Sequence, residues 1–210
     1  LADGERLVQD VVEPLTLFLL GWRDRQPVHA AAIVRDGAAI LLAGPSGTGK
    51  STVAYAASRR GFLVLADEPA YVQLEPRFRV WGRRARLHLR PEVAAFFPEL
   101  QGLEPVLLPT GKTKLVVEAE DGPRCAERSA LCLLRREAGA AAGLEPMDPG
   151  AAVAALTADL DPGFDLFADT IADRIARVAE GGAWTLDLSD DPRDALPLLE
   201  RVAGSLEQRR

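Results

Sequence analysis

The run Gly44-Pro45-Ser46-Gly47-Thr48-Gly49-Lys50-Ser51 has the residue types and the spacing to hold a chain of phosphates. Its glycines let backbone N–H groups turn inward on an anion with no Cβ in the way. Lys50 has the reach to serve the β and γ phosphates, Ser51 offers a hydroxyl to magnesium, and Thr52 continues the turn. The loop follows the apolar run Ala38 to Ala43 and opens a helix expected over 50–60 and stopped by Gly61. The positive end of that helix would point at the bound anion. ATP or GTP with Mg2+ is therefore the ligand class. No base-reading motif for guanine stands out, and ATP is the expected nucleotide.

A second group with chemical potential is Asp67-Glu68, which ends the apolar run Phe62 to Ala66, 17 residues after Lys50. In a parallel sheet the carboxyl ends of strands share one edge, where ligands bind. These carboxylates are expected to face the γ-phosphate, one holding magnesium and the other orienting or deprotonating an attacking hydroxyl. The phrase Leu65-Ala66-Asp67-Glu68-Pro69 also looks like the second nucleotide motif of transporter ATPases. That motif lies far downstream of its loop, behind a glycine-rich signature that this chain lacks, so the reading is rejected.

The elements that must position these groups can be read from patterning. Residues 5–20 carry apolar positions three to four apart, as in a helix disturbed near Pro14. Val28 to Val34 and Ala38 to Ala43 read as strands joined by an Asp36-Gly37 turn. Strands are expected over Tyr71 to Leu74, Arg83 to Leu89, Lys112 to Glu118 and Ala130 to Arg135, with a short helix over 91–97. The last third reads as helices over 149–160, 165–180 and 192–206, with a strand from Trp184 to Leu188 and a cap at Asp190 or Asp191 before Pro192. Ala138 to Gly143 reads as a link. The expected fold is α/β: one phosphate-loop nucleotide-binding domain over 28–210, with a mixed sheet and late helices, preceded by a helical segment over 1–27 packed on it.

Composition narrows the partners. The chain has 210 residues, a net charge of -6 and 48% hydrophobic residues. An acidic chain without a basic face argues against nucleic acid. The apolar stretch Val11 to Trp22 is too short to span a bilayer and no basic region precedes it, which argues against a membrane span and a signal peptide. Two cysteines, Cys125 and Cys132, and two histidines are too few for a zinc cluster. The expected compartment is the cytoplasm, and assembly into a homo-oligomer stays open.

Around the loop the chain resembles the catalytic domain of the HPr kinase/phosphorylase family. The resemblance rests on His29 in Val28-His29-Ala30-Ala31-Ala32, the hairpin, the phosphate loop, the basic pair Arg59-Arg60 before Gly61, and Ala66-Asp67-Glu68, over about residues 28–72. It implies an ATP- and magnesium-dependent serine kinase on a fold akin to phosphoenolpyruvate carboxykinase. Asp67 would accept the proton of the acceptor hydroxyl, Glu68 would be its partner near the metal, and His29 would sit against them. Glu68 replaces the family's second Asp, its glycine-rich signature segment has no match, and the segment ahead of residue 28 is shorter than the family's N-terminal domain. The chain thus looks like the short HPr-kinase-like proteins, some of which serve peptide natural-product pathways. The acceptor is then a serine on a protein or peptide; a small-metabolite kinase and a non-catalytic nucleotide-dependent regulatory module are the alternatives.

The remaining charged residues admit two readings. Arg83, Arg84, Arg86 and Arg90, with Lys112 and Lys114, are either solvated strand faces or cations beside the γ-phosphate that dock an acidic acceptor. His88 alternates as on a strand and is expected to be structural.

Overall fold

The computed structural model describes residues 11–82, 86–108, 111–158 and 168–208. Strands β1 (Gln26–Val28), β2 (Ala30–Arg35) and β3 (Ala38–Ala43) are followed by helix α2 (Lys50–Ser58), which comes after α1 (Glu13–Gly21) in the chain. Then come β4 (Leu63–Ala66), β5 (Ala70–Gln73), β6 (Arg79–Trp81), β7 (Arg86–Leu89), two 3-10 turns (Pro91–Ala95 and Pro98–Leu100), β8 (Val106–Leu107), β9 (Thr113–Glu118) and β10 (Cys125–Ala126). The chain continues through β11 (Arg128–Arg136), β12 (Gly143–Met147), α3 (Pro149–Thr157), α4 (Ala168–Ala179), β13 (Ala183–Leu188), a 3-10 turn (Pro192–Ala195) and α5 (Leu196–Glu207).

A six-stranded mixed sheet in the order β12-β13-β11-β3-β2-β4 forms the centre. Its middle strands are apolar on both faces because both are covered. Along β3 the side chains alternate: Ile40 and Leu42 join the cluster under α2 and α5, with Val53, Ala57, Leu199 and Val202, while Ala39 and Leu41 join the cluster under α4, with Ile171, Ile175 and Val178. The spacing of Ile171, Ile175, Val178 and Ala179 gives α4 its buried face. A four-stranded antiparallel sheet, β1-β5-β6-β10, and a three-stranded one, β7-β9-β8, complete the described residues.

Several expectations change. Strands β3 and β4 are not neighbours: β2 lies between them and pairs antiparallel with both, Ala30 opposite Ala43 and Ala32 opposite Ala66. The expected strand from Val28 to Val34 breaks at His29, so β1 pairs with β5 in one sheet and β2 with β3 in another. The expected link at Ala138 to Gly143 runs into β12, an edge strand of the main sheet that pairs with β13; an edge tolerates Pro146, which lacks an N–H. The turn over 91–95 is 3-10 and not α. Helix α1 leaves Leu15, Phe18 and Leu19 exposed. The chain is anchored just after it, where Asp24 accepts from the amides of Leu74 and Glu75 and pairs with the buried Arg174. Both cysteines are free thiols. Residues 5–10, 159–160 and 165–167 of the expected helices, and Arg83 and Arg84, lie outside the described residues.

Candidate functional site

The antiparallel insertion of β2 decides what meets at the loop. Because β3 and β4 run the same way on either side of it, their carboxyl ends and the amino end of β2 share one edge of the sheet. The loop 44–49 leaves β3 at this edge, Asp67 and Glu68 leave β4, and His29 precedes β2. Strand β11 pairs parallel with β3 and delivers Arg136 to the same edge, and β13 delivers the segment containing Asp190.

The loop is stiffened by its own bonds. The Thr48 hydroxyl and amide both donate to the Pro45 carbonyl, at 2.6 and 3.2 Å. Gly47 and Gly49 stand at φ +88° and +120°, the left-handed side where a Cβ is strained, and Gly49 leads directly into α2. Lys50 is only 5% exposed. Its ammonium donates to the Gly44 carbonyl at 2.7 Å, lies 3.0 Å from His29 Nε2 and reaches Glu68 Oε2 at 3.5 Å. His29 Nε2 also contacts Glu68 Oε1 closely. His29, Lys50 and Glu68 thus form one cluster.

Asp67 is held differently. Its Oδ2 accepts from the His88 amide at 2.9 Å and lies 3.4 Å from His88 Nδ1, while Oδ1 is buried with no hydrogen-bond partner. The side chain is 10% exposed. A buried carboxylate oxygen without a partner is costly unless a ligand completes it. His88 also lines the cavity.

A cavity of about 560 Å³ opens on all of these groups. Ser46, Gly47, Gly49, Lys50, Ser51 and Thr52 form its floor, and Asp67, Glu68 and His88 form one wall. Of the basic residues weighed in the sequence, Arg90 and Lys114 line it. Arg86 does not; it is exposed and paired with Glu118 at 2.8 Å. The Lys114 ammonium is held below the usual lysine range, first by burial and then by Arg90 and Lys112 nearby. Val93, Phe96, Leu108 and Pro192 add apolar surface.

Arg136 and Asp190 also line the cavity, although neither stands out in the sequence as a site residue. Arg136 had a usable signal, since it closes an apolar strand whose carboxyl end falls on the ligand edge. Asp190 had been considered only as a cap, and the cap is Asp191, which accepts from the Arg193 amide at 2.9 Å.

An oxyanion-rich ligand fits this arrangement. Ser51 and the carboxylate residues Asp67 and Glu68, which line the cavity, offer hard oxygen donors of the kind magnesium takes together with phosphate and water. Among the described residues there is no cluster of three or more His, Cys, Asp or Glu side chains that would hold a metal unaided. No helix among them is long and apolar enough to cross a membrane.

No family model and no curated protein matches the chain. Among solved structures, the Hpr(Ser) kinase/phosphatase from Coxiella burnetii is similar over 88% of this chain and 97% of its own, at 13% identity and a TM-score of 0.41. At those values the likeness assigns no residue a role.

Proposed function

We propose that the protein is an ATP- and magnesium-dependent kinase that transfers the γ-phosphoryl group to a serine hydroxyl on a protein or peptide. One observation carries this reading: Asp67, whose buried Oδ1 lacks a partner, lines the same cavity as Ser46, Gly47, Gly49, Lys50 and Ser51 of the loop. A loop of amides with Lys50 suits phosphates, and a buried carboxylate oxygen lacking a donor suits an incoming hydroxyl.

In this reading the loop amides and Lys50 bind the β and γ phosphates. Phosphate draws Lys50 away from the Gly44 carbonyl and from Glu68, leaving Glu68 available near the metal. Ser51, with Glu68 or Asp67, would hold magnesium, which neutralises phosphate charge when bound. Asp67 Oδ1 receives the acceptor's proton as the serine oxygen bonds to the γ-phosphorus. The bond from that phosphorus to the bridging oxygen breaks, and its electron pair leaves with ADP. His88 holds Asp67 Oδ2 through its amide and leaves Oδ1 without a partner.

The test is phosphate transfer from labelled ATP, with magnesium, to a library of serine peptides and, in parallel, to small alcohols. Label on peptide serine supports the reading. Label on small alcohols alone moves the acceptor class, and tight ATP binding with no transfer or hydrolysis favours a binding module.

A further inference from the structure

We propose that Arg90 is a further catalytic residue, a guanidinium supplied from the end of β7 that lies over Gly47 and stabilises the phosphoryl group in transfer. The proposal rests on the kinase reading above. It begins from a close approach: a Cβ built on Gly47 would stand 2.6 Å from Arg90 Nη2 and 3.8 Å from its Cζ. The guanidinium therefore lies against Gly47 where a side chain would stand. Lys50 reaches the loop from within, bonded to Gly44. Two cations on one run of amides are placed to share the equatorial charge that phosphoryl transfer develops.

Two further observations describe Arg90, which is exposed at the end of β7. It lines the cavity and, among the described residues, forms no ion pair, although Glu92 lines the same cavity. Its backbone is also well held. Leu89 before it is buried in the β7–β9 ladder, and the Arg90 carbonyl accepts from the Val93 amide at 3.1 Å, with Val93 itself buried. A side chain meant only for solvent needs no such fixed base. Arg136 lies farther along the loop, with its Nη2 3.7 Å from a Cβ on Gly49, so the two guanidinia flank different residues. Gly47 precedes Gly49 and is the more distant of the two from the start of α2, which places Arg90 toward the γ end and Arg136 toward the β phosphate.

The test compares the full chain with Arg90→Ala and Arg90→Lys. Calorimetry measures affinity for ADP with magnesium, and for the same mixture with aluminium fluoride, which mimics the phosphoryl group in flight. Steady-state release of phosphate from ATP gives kcat and KM. The expected result is near-parental ADP affinity in Arg90→Ala, a loss of roughly 10²-fold or more in affinity for the aluminium fluoride complex, and a similar fall in kcat with little change in KM. Arg90→Lys should recover part of both. Equal losses for the two ligands, a change confined to KM, or no change at all would overturn the role. A parent protein that binds ATP and turns it over while Arg90→Ala matches it defeats only this proposal; a parent that binds no ATP defeats the kinase reading itself.

Discussion

Asp67 and His88 are joined through the histidine's backbone: the His88 amide donates to Asp67 Oδ2 at 2.9 Å and leaves Oδ1 buried and unpartnered. A backbone donor cannot swing away as a side chain can. The carboxylate is therefore oriented by the β7 main chain. Substitution of the His88 side chain should leave that orientation in place, while substitution of Asp67 should not leave the chemistry intact.

Asp67→Asn keeps the shape and can still accept from the His88 amide, but it cannot take up a proton at neutral pH. Transfer should fall by roughly 10² to 10⁴ with ATP affinity nearly unchanged. Turnover and calorimetry on one preparation check this. Near-normal turnover would place the proton acceptor elsewhere, with Glu68 the next carboxylate in the wall.

Lys50→Ala should weaken both binding and folding. The ammonium is buried, bonds the Gly44 carbonyl and faces Glu68, so its loss strands a buried acceptor and a carboxylate. A folding cost of about 1–3 kcal/mol follows for a stranded buried polar group. Loss of charge-assisted bonds to phosphate should lower ATP affinity by about 10- to 100-fold. Thermal melting of the empty protein together with ATP calorimetry tests the two parts separately. Unchanged ATP affinity would remove the loop from nucleotide binding.

How much of this site the sequence discloses follows from the kind of signal each residue carries. The glycine loop and α2 are legible because residue type, spacing and the apolar run of β3 agree. Asp67 and Glu68 are legible as the end of a strand, but not the strand order that brings them to the loop. Nothing in Ala30 to Arg35 tells that β2 inserts between β3 and β4, because fully buried strands lack alternation. His88 shows a period of two and no indication of which face meets the ligand. Strands of two or three residues, such as β6, β8 and β10, are too short for any period and exist through their partners. In β12, Gly143 and Pro146 hide a strand that survives because it lies at an edge.

Tyr55 should report on the contact between α2 and the turns beside the cavity. Its phenol donates to Glu99 Oε1 at 3.1 Å, Arg59 Nε lies 3.1 Å from the same oxygen, and Phe97 packs edge-on at 4.9 Å between centroids. Burial, followed by Glu99, pushes the phenol up to about 12. The folded value lies above the unfolded one near 10, so the neutral phenol's contribution is fully present below about pH 10 and is lost as pH rises toward 12. Ultraviolet titration of phenolate should show a late step that Tyr55→Phe removes. The chain has two tyrosines, so the step is resolvable. Its persistence in the Phe variant would show that Tyr55 is not the shielded phenol.

Lys114 should couple nucleotide binding to proton uptake. Burial chiefly, with Arg90 and Lys112, lowers its pKa below the lysine value of 10.5, while Asp67 and Glu92 oppose the shift. A polyphosphate arriving in the shared cavity favours the ammonium and raises that pKa again. Binding must then take up protons over the interval between the two values. Affinity should be level at lower pH, where Lys114 is already charged, and should fall as pH rises through the unliganded pKa. Calorimetry of ATP with magnesium at alkaline pH, in two buffers of different ionisation enthalpy, counts the protons. Lys114→Met should abolish the uptake assigned to this group and flatten the pH dependence at a uniformly weaker affinity. Lys114→Arg should also flatten it but keep most of the affinity, since arginine holds its charge throughout. Equal proton uptake by the parent and both variants would show that the phosphates bind out of reach of Lys114, on the Arg136 side of the cavity.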